Sequence, residues 1–222
     1  MTAHGRGWGV VVPVKHATRG KSRLSADGLD RSALARAIAL DTIAAAAACP
    51  LVERVVVVTD DGGLVLSAAD IPGLRFVAET PGEGEVPTPA ETAAADGLNR
   101  ALARGAATLE GMPRAGLLGD LPALRPDDLA DALRRADAHE RAVVADAEGT
   151  GSTLVTARAG VPWETAFGDG SLARHVEQGC VLLDIPDAST LRRDVDTAEQ
   201  LDAADALGLG PRTAAVLAGR TG

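Results

Sequence analysis

Tyrosine is absent from these 222 residues, and aromatic side chains make up only 2% of them. With hydrophobic residues at 46%, the core must be built from Val, Leu, Ile and Ala, as in Ala-rich helices packed on Val-rich strands. Basic residues are scarce too: the net charge is −9. That balance argues against a nucleic-acid polymer as partner, because a phosphate backbone needs a basic face. A mononucleotide is still allowed, since it needs only a local positive pocket. Cys49 and Cys180 are the only cysteines and match no metal-ligand spacing. The apolar runs fall far short of the ~18 residues of a membrane span, and nothing resembles a signal peptide. The expectation is one cytoplasmic domain over residues 1–222, with no membrane association.

Lysine is the rarest charge, and both lysines, Lys15 and Lys21, fall in one stretch. In Trp8–Leu24, WGVVVPVKHATRGKSRL, the run Val10–Val12 reads as a strand buried on both faces. It empties into a loop carrying Lys15, Arg19, Lys21 and Arg23, with Gly20 among them. A strand that delivers a cationic, Gly-containing loop is suited to gripping a phosphate chain. The other reading is an ordinary solvated basic loop. Gly20-Lys21-Ser22 matches the end of a Walker A motif, but Lys15 stands where its first glycine belongs, which argues against a P-loop enzyme.

The rest of the chain alternates between strand and helix patterns. A helix over Ser32–Cys49 ends at Pro50, strands follow at Arg54–Thr59 and Leu74–Ala78, and a short helix lies between them over Val65–Ala69. Thr80–Thr92, with three prolines, reads as a mobile loop, and Ala90–Ala107 as one helix. Strands are expected at Ala115–Gly119, Ala142–Ala145 and Leu154–Thr156, with a helix from Pro126 to Ala138. Further on, a short helix is expected over Ala173–Glu177, strands over Val181–Asp184 and Thr190–Asp194, a helix from Thr197, and a weakly ordered tail after about residue 210. This order implies an α/β fold around a mostly parallel sheet.

Asp120 follows a buried strand and precedes Leu-Pro, at the sheet edge where ligands of open α/β folds collect. It reads either as a site acid or as a turn residue. Asp194 and Asp196 form D-x-D; at strand spacing both would face one side, as a shared Mg²⁺ site requires. Alternatively Asp196 or Thr197 caps the last helix, with Glu199 or Gln200 completing a capping box. Gly149–Thr153 (GTGST) and Gly168–Ser171 each read as a phosphate-binding turn or a plain one. His4, His139 and His175 read as surface residues, and no Ser-His-Asp or Cys-His arrangement is evident.

Taken together, VPVK followed by GKSRL, GDLPAL after a strand, DAEGTGST, FGDGS and RRDVDTAEQL resemble the 2-phospho-L-lactate guanylyltransferase family, including its phosphoenolpyruvate-using branch. The resemblance runs from Trp8 to about Gly210. It implies a three-layer, Rossmann-like domain of the nucleotide-diphospho-sugar transferase type, with GTP as donor, Mg²⁺ as cofactor and a place in coenzyme F-420 biosynthesis. It also implies a small phosphorylated three-carbon acid as acceptor and a downstream transferase of that biosynthesis as partner. By motif, Lys15, Lys21 and Arg23 are implied to act in catalysis and, with Pro13, Ser22 and Asn99, to bind the nucleotide. Asp120 is implied as one metal ligand, and Asp196 or Asp194 as the second, Asp196 being favoured because it directly precedes Thr197. Thr153, Gly168 and Ser171 are implied to hold the acid, with Ser152 leaving open which hydroxyl makes that contact. The acceptor's phosphate oxygen is already anionic at neutral pH, so no general base is needed. Two other readings stand beside this one: a related enzyme acting on a sugar or pterin phosphate, and a non-catalytic nucleotide-binding regulator.

Overall fold

A computed structural model describes residues 7–15, 30–82, 84–94 and 96–219. Seven strands form one sheet in the order β3-β2-β1-β4-β6-β5-β7. Strand β1 (Trp8–Pro13) is buried along its whole length. It pairs in parallel with β2 (Val52–Val58) on one side and β4 (Arg114–Leu117) on the other. Strand β3 (Leu74–Val77) extends the sheet beyond β2, also in parallel. Strand β6 (Ser152–Ala157) runs antiparallel between β4 and β5 (Arg141–Ala145), and β7 (Val181–Leu182) lies parallel to β5 at the edge. The sheet is therefore mostly parallel, as expected.

Both faces of the sheet are covered, which explains the continuous apolar strands. Alternate residues of β1 and β2 divide between the two sides. Val10, Val12, Val55 and Val57 join the cluster under α1 (Arg31–Ala48) and α5 (Pro126–Ala136). Val11, Val56 and Val58 join the cluster under α4 (Gly97–Ala107). Helix α1 starts at Asp30, whose carboxylate accepts from the N–H groups of Ser32 and Ala33 at 2.9 and 3.2 Å. It stops at Cys49, one residue before Pro50. Between β2 and β3 lies α2 (Gly62–Ser67), capped by Asp61.

Four expectations are corrected. The long helix over Ala90–Ala107 is two helices, α3 (Pro89–Ala93) and α4. Ala94 turns extended, and Asp96 caps α4 through the Asn99 N–H at 2.9 Å. The Pro-rich stretch before them is anchored rather than loose. The Arg104 guanidinium reaches Glu85 at 2.6 Å, Glu91 at 3.1 Å and the Ala78 carbonyl at 2.7 Å. Thr190–Asp194 is not a strand: Thr190–Arg192 forms a 3₁₀ turn, because the Asp128 carboxylate takes both the Thr190 N–H (2.8 Å) and its hydroxyl (2.5 Å). Finally, helix α8 (Pro211–Ala218) stands in place of the weakly ordered tail and packs on α1. Buried Asp41 accepts from the Arg212 and Thr213 N–H groups at its N-terminus, at 3.1 and 2.7 Å.

The chain leaves β1 toward β2 on one side and comes back to β4 on the other. The crevice between the carboxyl ends of β1 and β4 is thus a topological switch point, where open α/β sheets bind ligands. Because β6 is antiparallel, its first residue, Ser152, lies at the same edge as the ends of β4 and β5.

Candidate active site

The cleft at that edge has a volume of about 300 Å³. Five chain segments converge on it. The loop after β4 supplies Leu118 and Asp120, and the β5–β6 turn supplies Asp146, Thr150, Gly151 and Ser152. The turn before α6 (Ser171–Glu177) supplies Phe167, Gly168, Asp169, Gly170 and Ser171. The segment before α7 (Ala198–Asp205) adds Asp194 and Asp196, and the first turn of α4 adds Leu98. Among the described residues lining it, none is basic.

Backbone bonds bring the acids together. The Val195 N–H donates to the Asp120 carbonyl at 3.0 Å, tying the two acid-bearing segments to each other. The Val195 side chain is fully buried in the apolar cluster of α1 and α7, so its neighbours Asp194 and Asp196 are turned toward the cleft. The two acids do share a side, but through an anchored valine in an irregular segment rather than through strand alternation. Thr197 caps α7, and Gln200 completes the capping box. Gln200 also accepts from the Asp196 N–H at 2.8 Å and donates to Glu148 at 2.9 Å.

Asp146, Glu148 and Asp194 place carboxylate oxygens within 4.8 Å of one another. Burial first, and then the charges of Asp120 and Asp146, push the Asp194 carboxyl up to about 8. Its Oδ1 is buried and has no hydrogen-bond partner among the described residues. Like charges crowded around a buried oxygen with no donor to satisfy it suit a cation, and an all-carboxylate donor set suits a hard one such as Mg²⁺ or Mn²⁺. Asp196, which the motif favoured over Asp194, is exposed at the rim and lies outside this cluster. Asp146 and Glu148 were missed. The available signal was an acid pair directly after a strand, in the motif DAEGTGST.

The β5–β6 turn is organised by Asp146, which accepts from the Thr150 N–H at 3.0 Å and the Gly151 N–H at 2.7 Å. A Cβ at position 151 would lie 2.3 Å from Asp146 Oδ2, so only glycine allows this approach. Ser152 begins β6 at a register irregularity and lines the cleft. Thr153 does not line it: the residue is fully buried within the strand. Gly168 and Ser171 do line it, Ser171 opening α6 behind Gly170 in the left-handed conformation (φ 66°).

Asn99 sits behind the cleft instead of in it. Its amide accepts from the Phe167 N–H at 2.9 Å and donates to the Phe167 carbonyl and to Asp96, each at 3.1 Å. These bonds commit the side chain to holding the Phe167–Gly168 turn against α4. Pro13 is buried at the end of β1, and Lys15 is exposed two residues beyond it. Lys21, Ser22 and Arg23 lie outside the described residues. His175, expected at the surface, is fully buried.

The seven-stranded, mostly parallel sheet with its cleft beyond the end of β4 is an α/β fold of the nucleotide-diphospho-sugar transferase type. Solved structures agree: a protein from Desulfovibrio desulfuricans G20 described as a nucleotide-diphospho-sugar transferase aligns with TM-score 0.53 at 17% identity, over 90% of this chain and 96% of its own. The Rv0371c homolog from Mycobacterium sp. strain JC1 also aligns with TM-score 0.53, at 19% identity over 91% and 98%. Residues 8–204 match the CofC family, guanylyl transferase CofC like, and the chain belongs to that family. It is 48% identical to the phosphoenolpyruvate guanylyltransferase of Thermomonospora curvata, over 95% of this chain and 89% of that protein. The protein of the same name from Streptomyces scabiei is also 48% identical, over 95% and 96%. That from Sanguibacter keddieii is 47% identical, over 95% and 84%.

Proposed function

We propose that this chain joins GMP from GTP to phosphoenolpyruvate, or to a close three-carbon phospho-acid such as 2-phospho-L-lactate, and releases pyrophosphate. The observation that carries this reading is the meeting, in one cleft beyond the carboxyl ends of β4 and β5, of clustered acids with two hydroxyl- and glycine-bearing turns. The names of the relatives support the choice of donor and acceptor.

Two polyanions must meet at the α-phosphorus, so the work is positioning and charge neutralisation. Lys15, at the end of β1, together with Lys21 and Arg23, neutralises the β- and γ-phosphates that depart. Gly168–Ser171 and Ser152 hold the acceptor by N–H and hydroxyl donors, aiming its phosphate oxygen at the α-phosphorus. Asp146, Glu148 and Asp194, with Asp120 beside them, would hold Mg²⁺. The ion supplies Lewis-acid polarisation and charge neutralisation for the phosphoryl groups. Such substrates place the reaction in the cytoplasm, where a transferase of coenzyme F-420 biosynthesis would consume the guanylylated product.

The test is pyrophosphate release from GTP, ATP and CTP against phosphoenolpyruvate, 2-phospho-L-lactate and 3-phosphoglycerate, with and without Mg²⁺. Turnover is expected with GTP, Mg²⁺ and at least one of these acids. Binding of GTP without release of pyrophosphate under any pairing would make the chain a regulator instead.

A further inference from the structure

His175 takes no part in the proposed chemistry, yet it sits fully buried behind the cleft, 4.9 Å from the Phe167 ring in an edge-on contact. The Ala166 N–H donates to its Nε2 at 2.8 Å. An imidazole nitrogen that accepts a hydrogen bond carries no proton, so the proton of the neutral ring is on Nδ1. Burial, reinforced by the charges of Arg141 and Arg174, keeps the ring neutral by drawing it down to about 4. Nδ1–H therefore donates to the Ser152 hydroxyl, 3.0 Å away. The Ser152 hydroxyl is in turn 3.3 Å from that of Ser171.

The protons in this chain can be counted. Three are available: one on Nδ1 and one on each hydroxyl. Two are spent on the links from His175 to Ser152 and between the two serines. Whichever way the serine–serine link runs, one hydroxyl proton remains, and both serines line the cleft. We propose that His175 is a positioning residue that commits the Ser152–Ser171 pair to donate one O–H bond into the cleft, toward an oxyanion of the phosphorylated acid. The pair then always offers one O–H donor and favours an acceptor bearing unprotonated phosphate or carboxylate oxygens. The inference rests on the reading of Gly168–Ser171 as the seat of that acid.

The experiment measures KM for phosphoenolpyruvate and for GTP separately in the wild type, His175→Leu, His175→Asn and Ser152→Ala. In His175→Leu the serine pair keeps its outward proton, but Ser152 loses the Nδ1–H that fixes its hydroxyl, and the phosphoenolpyruvate KM rises about tenfold as the outward O–H turns away from the acid. The GTP KM stays within about twofold, since the hydroxyl that is freed faces the acid. In His175→Asn the side-chain N–H₂ stands in for Nδ1–H and recovers most of the loss. An unchanged phosphoenolpyruvate KM in His175→Leu, or equal rises for both substrates, overturns the proposal. Should His175→Leu not fold, Ser152→Ala must show the same selective rise, and wild-type behaviour there overturns it.

Nitrogen-15 spectra of histidine-labelled wild type provide a readout independent of turnover, with His175 assigned by its loss in His175→Asn. A neutral Nδ1–H ring supports the hydrogen-bond chain, and an Nε2–H ring overturns it. If no phospho-acid releases pyrophosphate, the acceptor assignment fails while the spectra still decide the chain of donors.

Discussion

Asp194 is a carboxyl group held where a carboxylate is disfavoured: partly buried, with Asp120, Asp146 and Glu148 facing it. Its folded pKa of about 8 lies well above the roughly 3.9 of an unfolded aspartate. The group thus contributes stability that is fully present below about pH 4 and is lost as the pH rises through about 8. Metal-free protein is therefore expected to lose stability as the pH is raised from 5 to 8, by up to about 1.4 kcal/mol per pH unit from this one proton, and to change little beyond. Scanning calorimetry should find that slope reduced in Asp194→Asn. Saturating Mg²⁺ at pH 8 should restore the wild-type midpoint by replacing the proton with a bound cation. A wild-type profile as flat as that of Asp194→Asn would contradict the crowding described here. At this scale the sequence was informative about where charge collects. Asp120, Asp194, Gly168 and Ser171 are all found in the cleft. It could not say that Asp194 lies deeper than Asp196, nor that Ser152 rather than Thr153 reaches the cleft. Both depend on burial set by distant partners: Val195 packing under α7, and a register irregularity where β6 meets β5.

Among the elements, the segment between β3 and α4 shows how a few polar contacts organise a stretch with no regular pattern. Glu91 is buried and completes the Thr88 capping box while pairing with Arg104. Replacing Arg104 by Leu leaves that carboxylate buried without its cation, a loss of about 3–5 kcal/mol. It also frees Glu85 and the Ala78 carbonyl, so residues 79–88 should become the first site of limited proteolysis. Urea unfolding and protease mapping check the two effects separately. The split between α3 and α4 was readable in retrospect from Asp96, three residues before Asn99. A run of alanines around it hid the cap, since Ala favours continuing the helix. The 3₁₀ turn at Thr190 was not readable, because what replaces strand pairing there is a bond to Asp128, 62 residues away.

For the whole molecule, the C-terminal helix closes the fold. Helix α8 covers the outer side of α1, and with α7 it shelters Leu34, Ile38 and Val195 in one cluster. Truncation after Leu209 removes both N–H partners of buried Asp41 and uncovers that cluster. A loss of at least about 3 kcal/mol is expected in urea unfolding, since a buried carboxylate is left without donors. Through Val195 the loss should also loosen the Asp194–Asp196 segment and weaken Mg²⁺ binding, which titration calorimetry would detect. Unchanged Mg²⁺ affinity in the truncated chain would separate α8 from the site.

By itself the sequence determined the layered α/β class, the order of most strands and helices, and the family to which the chain belongs. These follow from local periodicity, from caps and breakers, and from short motifs whose residues are neighbours in the chain. Only the tertiary structure decided which acid is crowded, which hydroxyl lines the cleft, and that His175 lies behind it rather than on the surface. Those properties come from desolvation and from hydrogen bonds between segments tens of residues apart, which no local pattern encodes. The acids of the cleft were gathered from the loop after β4, the end of β5 and the turn before α7 by the fold alone.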